Sequence, residues 1–95
     1  MPKVKVVLIG SFRGITGNSD NTIEFNGEAS IRLLFQRLQV LGIEGRRTLT
    51  NTMVDDPRAI ALVLVNGVEI GLLQKLDTKL KDQDVVTIIP ITHGG

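Results

Sequence analysis

Ser30-Ile31-Arg32-Leu33-Leu34-Phe35-Gln36-Arg37-Leu38-Gln39-Val40-Leu41-Gly42 is the stretch that decides the fold. Ile31, Leu34, Phe35, Leu38 and Leu41 recur at i, i+3, i+4, i+7 and i+10, the spacing of one apolar helical face. Ser30 is a suitable N-cap and Gly42 stands where a left-handed C-terminal cap would fall, so the spacing predicts a helix over about 31 to 41. No other segment carries this period. On the N-terminal side, Val4-Lys5-Val6-Val7-Leu8-Ile9 is short, β-branched and stopped by Gly10, which suits a strand. Turn-forming residues fill Arg13 to Asn21, and Thr22-Ile23-Glu24-Phe25 reads as a second strand closing an antiparallel hairpin.

On the C-terminal side, 43 to 58 is polar and without period, and reads as a long connecting loop. Ala59 to Val65 reads as a buried strand. Asn66-Gly67 is a strong hairpin signal and returns the chain into a brief strand over Val68 to Ile70. Leu72, Leu73, Leu76 and Leu80 are expected to fill the edge of the core. A last strand over Asp84 to Ile89 ends at Pro90, which cannot donate to a ladder. The order β-β-α-β-β-β predicts an α+β domain, a ubiquitin-like β-grasp, in which one main helix crosses a mixed sheet of about four to five strands. The first and last strands are expected at its centre. Residues 1–90 form the domain on this reading, and 91–95 a flexible C-terminal diglycine tail.

Both parities of the first strand are apolar, Val4, Val6 and Leu8 against Val7 and Ile9. The last strand repeats this, Val86 and Ile88 against Val85 and Ile89. One helix covers one face of a sheet, so one set should face away from it. Val7, Ile9, Val85 and Ile89 are the candidate partner surface, the other parity being the alternative. The competing expectation is that the 43–58 loop or the Leu72 to Leu80 segment covers that face.

Composition removes whole classes of chemistry. The chain has 95 residues, enough for one domain with a two-layer core. With 11 Lys and Arg against 10 Asp and Glu, it lacks the basic excess of a nucleic-acid or membrane-surface binder. It contains no cysteine and one histidine, so thiolate catalysis, disulfides and Cys- or His-built metal sites are excluded. No Ser/His/Asp set with a rigid seat and no phosphate-cradling glycine loop is present, and no residue is assigned as catalytic. Asp55-Asp56 and Asp82/Asp84 read as solvated or capping carboxylates. The longest apolar runs are far below the ~20 residues of a membrane span. Met1-Pro2-Lys3 does not lead into a secretory signal, and the expected setting is soluble and cytoplasmic.

Three stretches carry a resemblance to a known family. Phe12-Arg13-Gly14-Ile15-Thr16-Gly17 is similar to the turn after the first strand of the molybdopterin synthase small subunit. Leu64-Val65-Asn66-Gly67-Val68-Glu69-Ile70, followed by Leu76-Asp77-Thr78-Lys79-Leu80-Lys81-Asp82-Gln83-Asp84-Val85-Val86, resembles the second half of the ubiquitin-like sulfur carriers. These include the thiamine sulfur carrier, the ubiquitin-related modifier and the archaeal small modifier proteins. Gly94-Gly95 completes the pattern. Pro90 is followed by Ile91, where molybdopterin subunits usually carry two prolines and a small residue. Thr92-His93-Gly94-Gly95 looks more like the ubiquitin-related modifier.

The resemblance implies a carrier that is the substrate of an adenylating enzyme and binds no cofactor of its own, ATP and Mg being used by that partner. Gly95 would be the activated residue, with Gly94, His93 and Thr92 as the tail that reaches the partner's nucleotide, and His93 as a contact to the enzyme. The further partners implied are a sulfur donor or persulfide enzyme and a thiolation enzyme or target-protein lysines, with no direct nucleic acid and no membrane. A sulfur carrier and modifier for tRNA thiolation or lysine conjugation is the first expectation, the small sulfur-carrier subunit of molybdopterin synthase the second. A non-covalent β-grasp interaction module is the third.

Overall fold

A computed structural model describes residues 1–44 and 61–91. Five strands form one mixed sheet: β1 (Lys3–Leu8), β2 (Asp20–Glu24), β3 (Ala61–Val65), β4 (Val68–Glu69) and β5 (Val85–Pro90). Their order across the sheet is β2-β1-β5-β3-β4. The β1–β2 hairpin is antiparallel, β1 and β5 run parallel with Val6 opposite Val86 and Leu8 opposite Ile88, and β5 is antiparallel to β3. The first and last strands therefore lie side by side in the interior of the sheet, as expected. A single helix, α1 (Ile31–Glu44), crosses one face. This is the β-grasp arrangement.

The core is what the helical spacing and strand alternation select. Ile31, Leu34, Phe35 and Leu38 of α1 are buried against Val4, Val6 and Leu8 of β1, Val63 and Val65 of β3, and Val86 and Ile88 of β5. The side chain of Leu41 and the connecting segment 45–60, which includes the expected loop and the start of the expected Ala59 strand, lie outside the described residues. The helix start is held twice. Ser30 Oγ accepts the Leu33 N–H at 3.2 Å, and the backbone on either side of Ser30 is tied to the 78–80 segment by Ile31 N–H to Thr78 O (3.0 Å) and Leu80 N–H to Ala29 O (2.9 Å).

Three local expectations change. The helix runs through Gly42 to Glu44. An internal glycine costs only about 1 kcal/mol relative to alanine, too little by itself to end a helix. The turn after β1 is a 3-10 helix over Gly10–Ile15, and Phe12 packs on the core. Leu72 and Leu73 do not fill the core edge: Leu72 is 81% exposed, while Ile70 and Leu80 are buried. The chain there folds as two short 3-10 turns, Ile70–Leu72 and Lys75–Asp77, and a single tight turn directs few of its side chains inward.

The Asp82-Gln83-Asp84 segment fastens β5 to its neighbours. Asn66 and Gly67 both adopt positive φ, 51° and 85°, as a two-residue hairpin turn requires. From that turn Asn66 Nδ2 donates to Asp84 Oδ1 (3.0 Å) and Asn66 Oδ1 accepts the Val85 N–H (2.9 Å). Asp82 Oδ1 accepts the Lys3 N–H (2.8 Å), which holds its carboxyl below the usual carboxylate range, with the Gln83 side chain adding to the effect. Gln83 sits at φ 74°, a conformation that costs a side-chain-bearing residue about 1–2 kcal/mol.

Replacing Gln83 by glycine should raise stability by about 1 kcal/mol, read from the denaturant midpoint at unchanged m-value. An unchanged or lowered midpoint would show that the segment is not strained. The Asp82 carboxyl is more acidic folded than unfolded. Its contribution is therefore present above the unfolded pKa and lost as pH falls through the lowered folded value. Asp82→Asn should flatten the fall of melting temperature with acidification; identical pH profiles for variant and parent would contradict the assignment.

Candidate functional site

Strand alternation decides what the sheet presents on its second face. With Val4, Val6 and Leu8 turned toward α1, Lys5, Val7 and Ile9 must turn away, and on β5 the same rule turns Val85, Thr87 and Ile89 outward. The pairing register gathers these side chains into one patch. Thr87 lies between Val7 on β1 and Leu64 on β3, and Ile89 lies opposite Leu62. Ile9 continues the row, its N–H donating to Ile88 O at 3.1 Å. Ile9 and Leu62 are each 39% exposed, and Val7, Leu64, Val85, Thr87 and Ile89 are half-buried. Toward the β2 edge the face turns polar: Lys5 lies 3.9 Å from Asp20, and Thr22 stands beside it.

Val7, Ile9, Val85 and Ile89, expected as the partner surface, are thus brought together on the face opposite the helix. None of them belongs to the buried cluster, and Leu72, at 81% exposure, does not cover them; residues 45–60, which hold most of the other expected cover, lie outside the described residues. Sequence reading missed Leu62, Leu64 and Thr87. The signal was there: Ala61-Leu62-Val63-Leu64-Val65 is apolar at both parities, as the first and last strands are. Thr92, His93, Gly94 and Gly95 lie outside the described residues. The described chain ends at exposed Ile91, directly after Pro90 at the exit from β5.

The base of that exit is tightly packed. Gly10 (φ 60°) lies so close to Pro90 that a Cβ on it would stand 3.2 Å from Pro90 Cγ. Arg13 Nε donates to Gly10 O at 3.3 Å and closes the 3-10 turn beside it. Among the described residues no grouping of His, Cys, Asp or Glu could hold a metal ion, and no helix is long and apolar enough to cross a membrane.

One helix on one face of a five-stranded mixed sheet, with an apolar second face that no described element covers, is the fold of the ubiquitin-like class of proteins. Residues 6–95 match the model of the ThiS family, and the chain belongs to that family of ubiquitin-like sulfur carriers and modifiers. Among solved structures it is similar to a putative molybdopterin converting factor subunit 1 from Pyrococcus furiosus, at 26% identity and TM-score 0.73, over 97% of this chain and 100% of that one. A chain of the BexX/CysO complex of Amycolatopsis orientalis is similar at 26% identity and TM-score 0.68, over 97% and 99%. The small archaeal modifier protein 1 from Methanosarcina acetivorans shares the fold at 24% identity and TM-score 0.76, over 100% and 98%. Comparison with curated protein sequences returns no match.

The two faces should respond differently to charge. Leu62→Asp and Ile9→Asp should fold with melting temperatures near the parent's, whereas Ile88→Asp and Val6→Asp, which place an unpaired carboxylate in the core, should lose several kcal/mol. Unfolding by the outward pair as severe as by the inward pair would mean that the outer face is itself a core.

Proposed function

We propose that the chain is a sulfur carrier and protein modifier: the substrate of an adenylating enzyme, with Gly95 as the reacting residue and 91–95 as the tail that presents it. The observation that carries this reading is the family match, which extends through Gly94-Gly95. The outer apolar face supports it by offering a surface on which an activating enzyme can seat the domain. A C-terminal carboxyl has an ordinary pKa of ~3.3–3.7 and is ionised at neutral pH. Its oxygen would attack the α-phosphate of ATP with loss of pyrophosphate, the enzyme supplying Mg and the nucleotide pocket. The resulting acyl-adenylate has AMP as a good leaving group. A persulfide sulfur displacing AMP gives an acyl disulfide, and a second thiol of the partner enzyme that attacks the donor sulfur forms a disulfide with it and releases the thiocarboxylate for tRNA thiolation; a lysine amine displacing AMP gives an amide bond to a target protein.

Glycine suits both tail positions because a chain without Cβ atoms enters a narrow channel. His93 and Thr92 would act as contacts to the enzyme rather than as acid or base. The face made by Val7, Ile9, Leu62, Val85 and Ile89 is the docking surface, and we place the reaction in the cytoplasm. One comparison favours a second reading. A relative at 26% identity is described as a molybdopterin converting factor subunit, and on that reading the same thiocarboxylate would deliver sulfur to a molybdopterin precursor.

Incubation with a cognate activating enzyme, ATP and sulfide should add the mass difference of sulfur for oxygen, confined to the C-terminal peptide. Deleting Gly95 should abolish that gain without moving the melting temperature. Leu62→Asp and Ile9→Asp should raise the concentration of activating enzyme needed for half-maximal conversion and leave the rate at saturation intact. Unchanged mass in the parent chain would support a non-covalent interaction module instead. Sulfur transfer from the thiocarboxylated chain to a molybdopterin precursor, rather than to tRNA, would favour the second reading.

A further inference from the structure

Two Asn-Gly pairs occur in the described residues, Asn26-Gly27 and Asn66-Gly67, and the structure treats them in opposite ways. Asn-Gly is the pair most open to spontaneous loss of the side-chain amide, because glycine leaves its own backbone nitrogen unshielded. Asn66 is held at three points. Its backbone N–H donates to Val85 O (2.7 Å), its Nδ2 donates to Asp84 Oδ1 (3.0 Å), and its Oδ1 accepts the Val85 N–H (2.9 Å). To bring Cγ onto the Gly67 nitrogen, the side chain must give up both of its bonds and leave the Val85 N–H without its acceptor.

Asn26 has none of these restraints. It lies exposed in the turn between β2 and α1, and its side chain makes no hydrogen bond with any described residue. Gly27 follows at φ 113°, with open space around the position a Cβ would take.

We infer that Asn26 is a site of spontaneous deamidation and backbone isomerisation in the folded protein, and that Asn66 is shielded from the same reaction by its clasp on β5. The Gly27 amide nitrogen, deprotonated by hydroxide, attacks Asn26 Cγ. A C–N bond forms, the Cγ–Nδ2 bond breaks, and ammonia leaves carrying the proton. Water then adds to either carbonyl of the five-membered succinimide, giving aspartate or a β-linked isoaspartate, with no change of oxidation state. Either product takes the formal net charge of the chain from +1 to neutral. The new carboxylate lies next to Phe25, whose ring carries the Arg37 guanidinium at 5.2 Å, on the side of the sheet away from the docking face.

The test is peptide mapping of the folded chain held at mildly alkaline pH, with isoaspartate scored by methyl transfer from S-adenosylmethionine using an isoaspartyl methyltransferase. Asn26 should convert at least about tenfold faster than Asn66, two hydrogen bonds of ~1 kcal/mol each being worth roughly that much or more. In denaturant the two rates should converge. Asp84→Ala, which removes one partner of the clasp, should accelerate Asn66 alone. Asn26→Gln should abolish the early acidic species on ion exchange while leaving Asn66 unchanged. Equal rates in the folded chain, or faster conversion at Asn66, would overturn the inference. So would a tenfold difference that persists in denaturant, since it would then reside in the sequence and owe nothing to the fold.

Discussion

The parallel pairing of β1 with β5 is the constraint on which the rest of the structure depends. It brings strands from opposite ends of the chain into register, Val6 beside Val86 and Leu8 beside Ile88, and their inward side chains form the floor on which α1 lies. Parallel strands cannot be joined by a tight turn. Everything between them is the crossover, and β2, β3 and β4 add to the two flanks. The fastenings gather at the start of β5: the Asn66 clasp, the Asp82 bond to the Lys3 N–H, and the paired Gln83 N–H to Lys3 O (2.8 Å) and Lys5 N–H to Asp84 O (2.9 Å). The polar motif before the last strand is thus structural. It sets the register that decides which β5 side chains face the helix.

That register also separates the two tasks of the sheet. Val86 and Ile88 hold the domain together, while Val85, Thr87 and Ile89, one residue out of phase, are available to something else. A one-residue slip of β5 would exchange the sets, burying Thr87 without a partner and exposing the core. The energy spent on Asn66, Asp82 and Asp84 therefore maintains the outer surface as much as the inner one.

The element order, the central place of the first and last strands, the Ser30 cap and the Asn66-Gly67 turn were legible in the sequence because each rests on local pattern. The identity of the outward parity was not, since both parities of β1 and β5 are apolar and only the landing of the helix distinguishes them. Leu62 and Leu64 were hidden for a related reason: a continuously apolar strand reads as buried whether its second face meets a core or remains open. Leu72 was misplaced because four leucines close together suggest a core edge, and a pair of 3-10 turns does not present them on one side. Gly42 shows that a modest propensity cost does not by itself end a helix.

The side-by-side placement of the first and last strands has a consequence for synthesis. A ribosome releases β1 early, yet the strand that must lie beside it, residues 85–90, emerges only after the helix and both flanking strands of the other half. Until then the apolar row of Val4, Val6 and Leu8 has one hairpin partner and an open edge, a state suited to chaperone capture or proteolysis. Contacts this distant in sequence also slow folding relative to a chain of local contacts. A nascent chain interrupted before β5 has no route to the native sheet, so a copy that survives in folded form has been translated at least through Pro90.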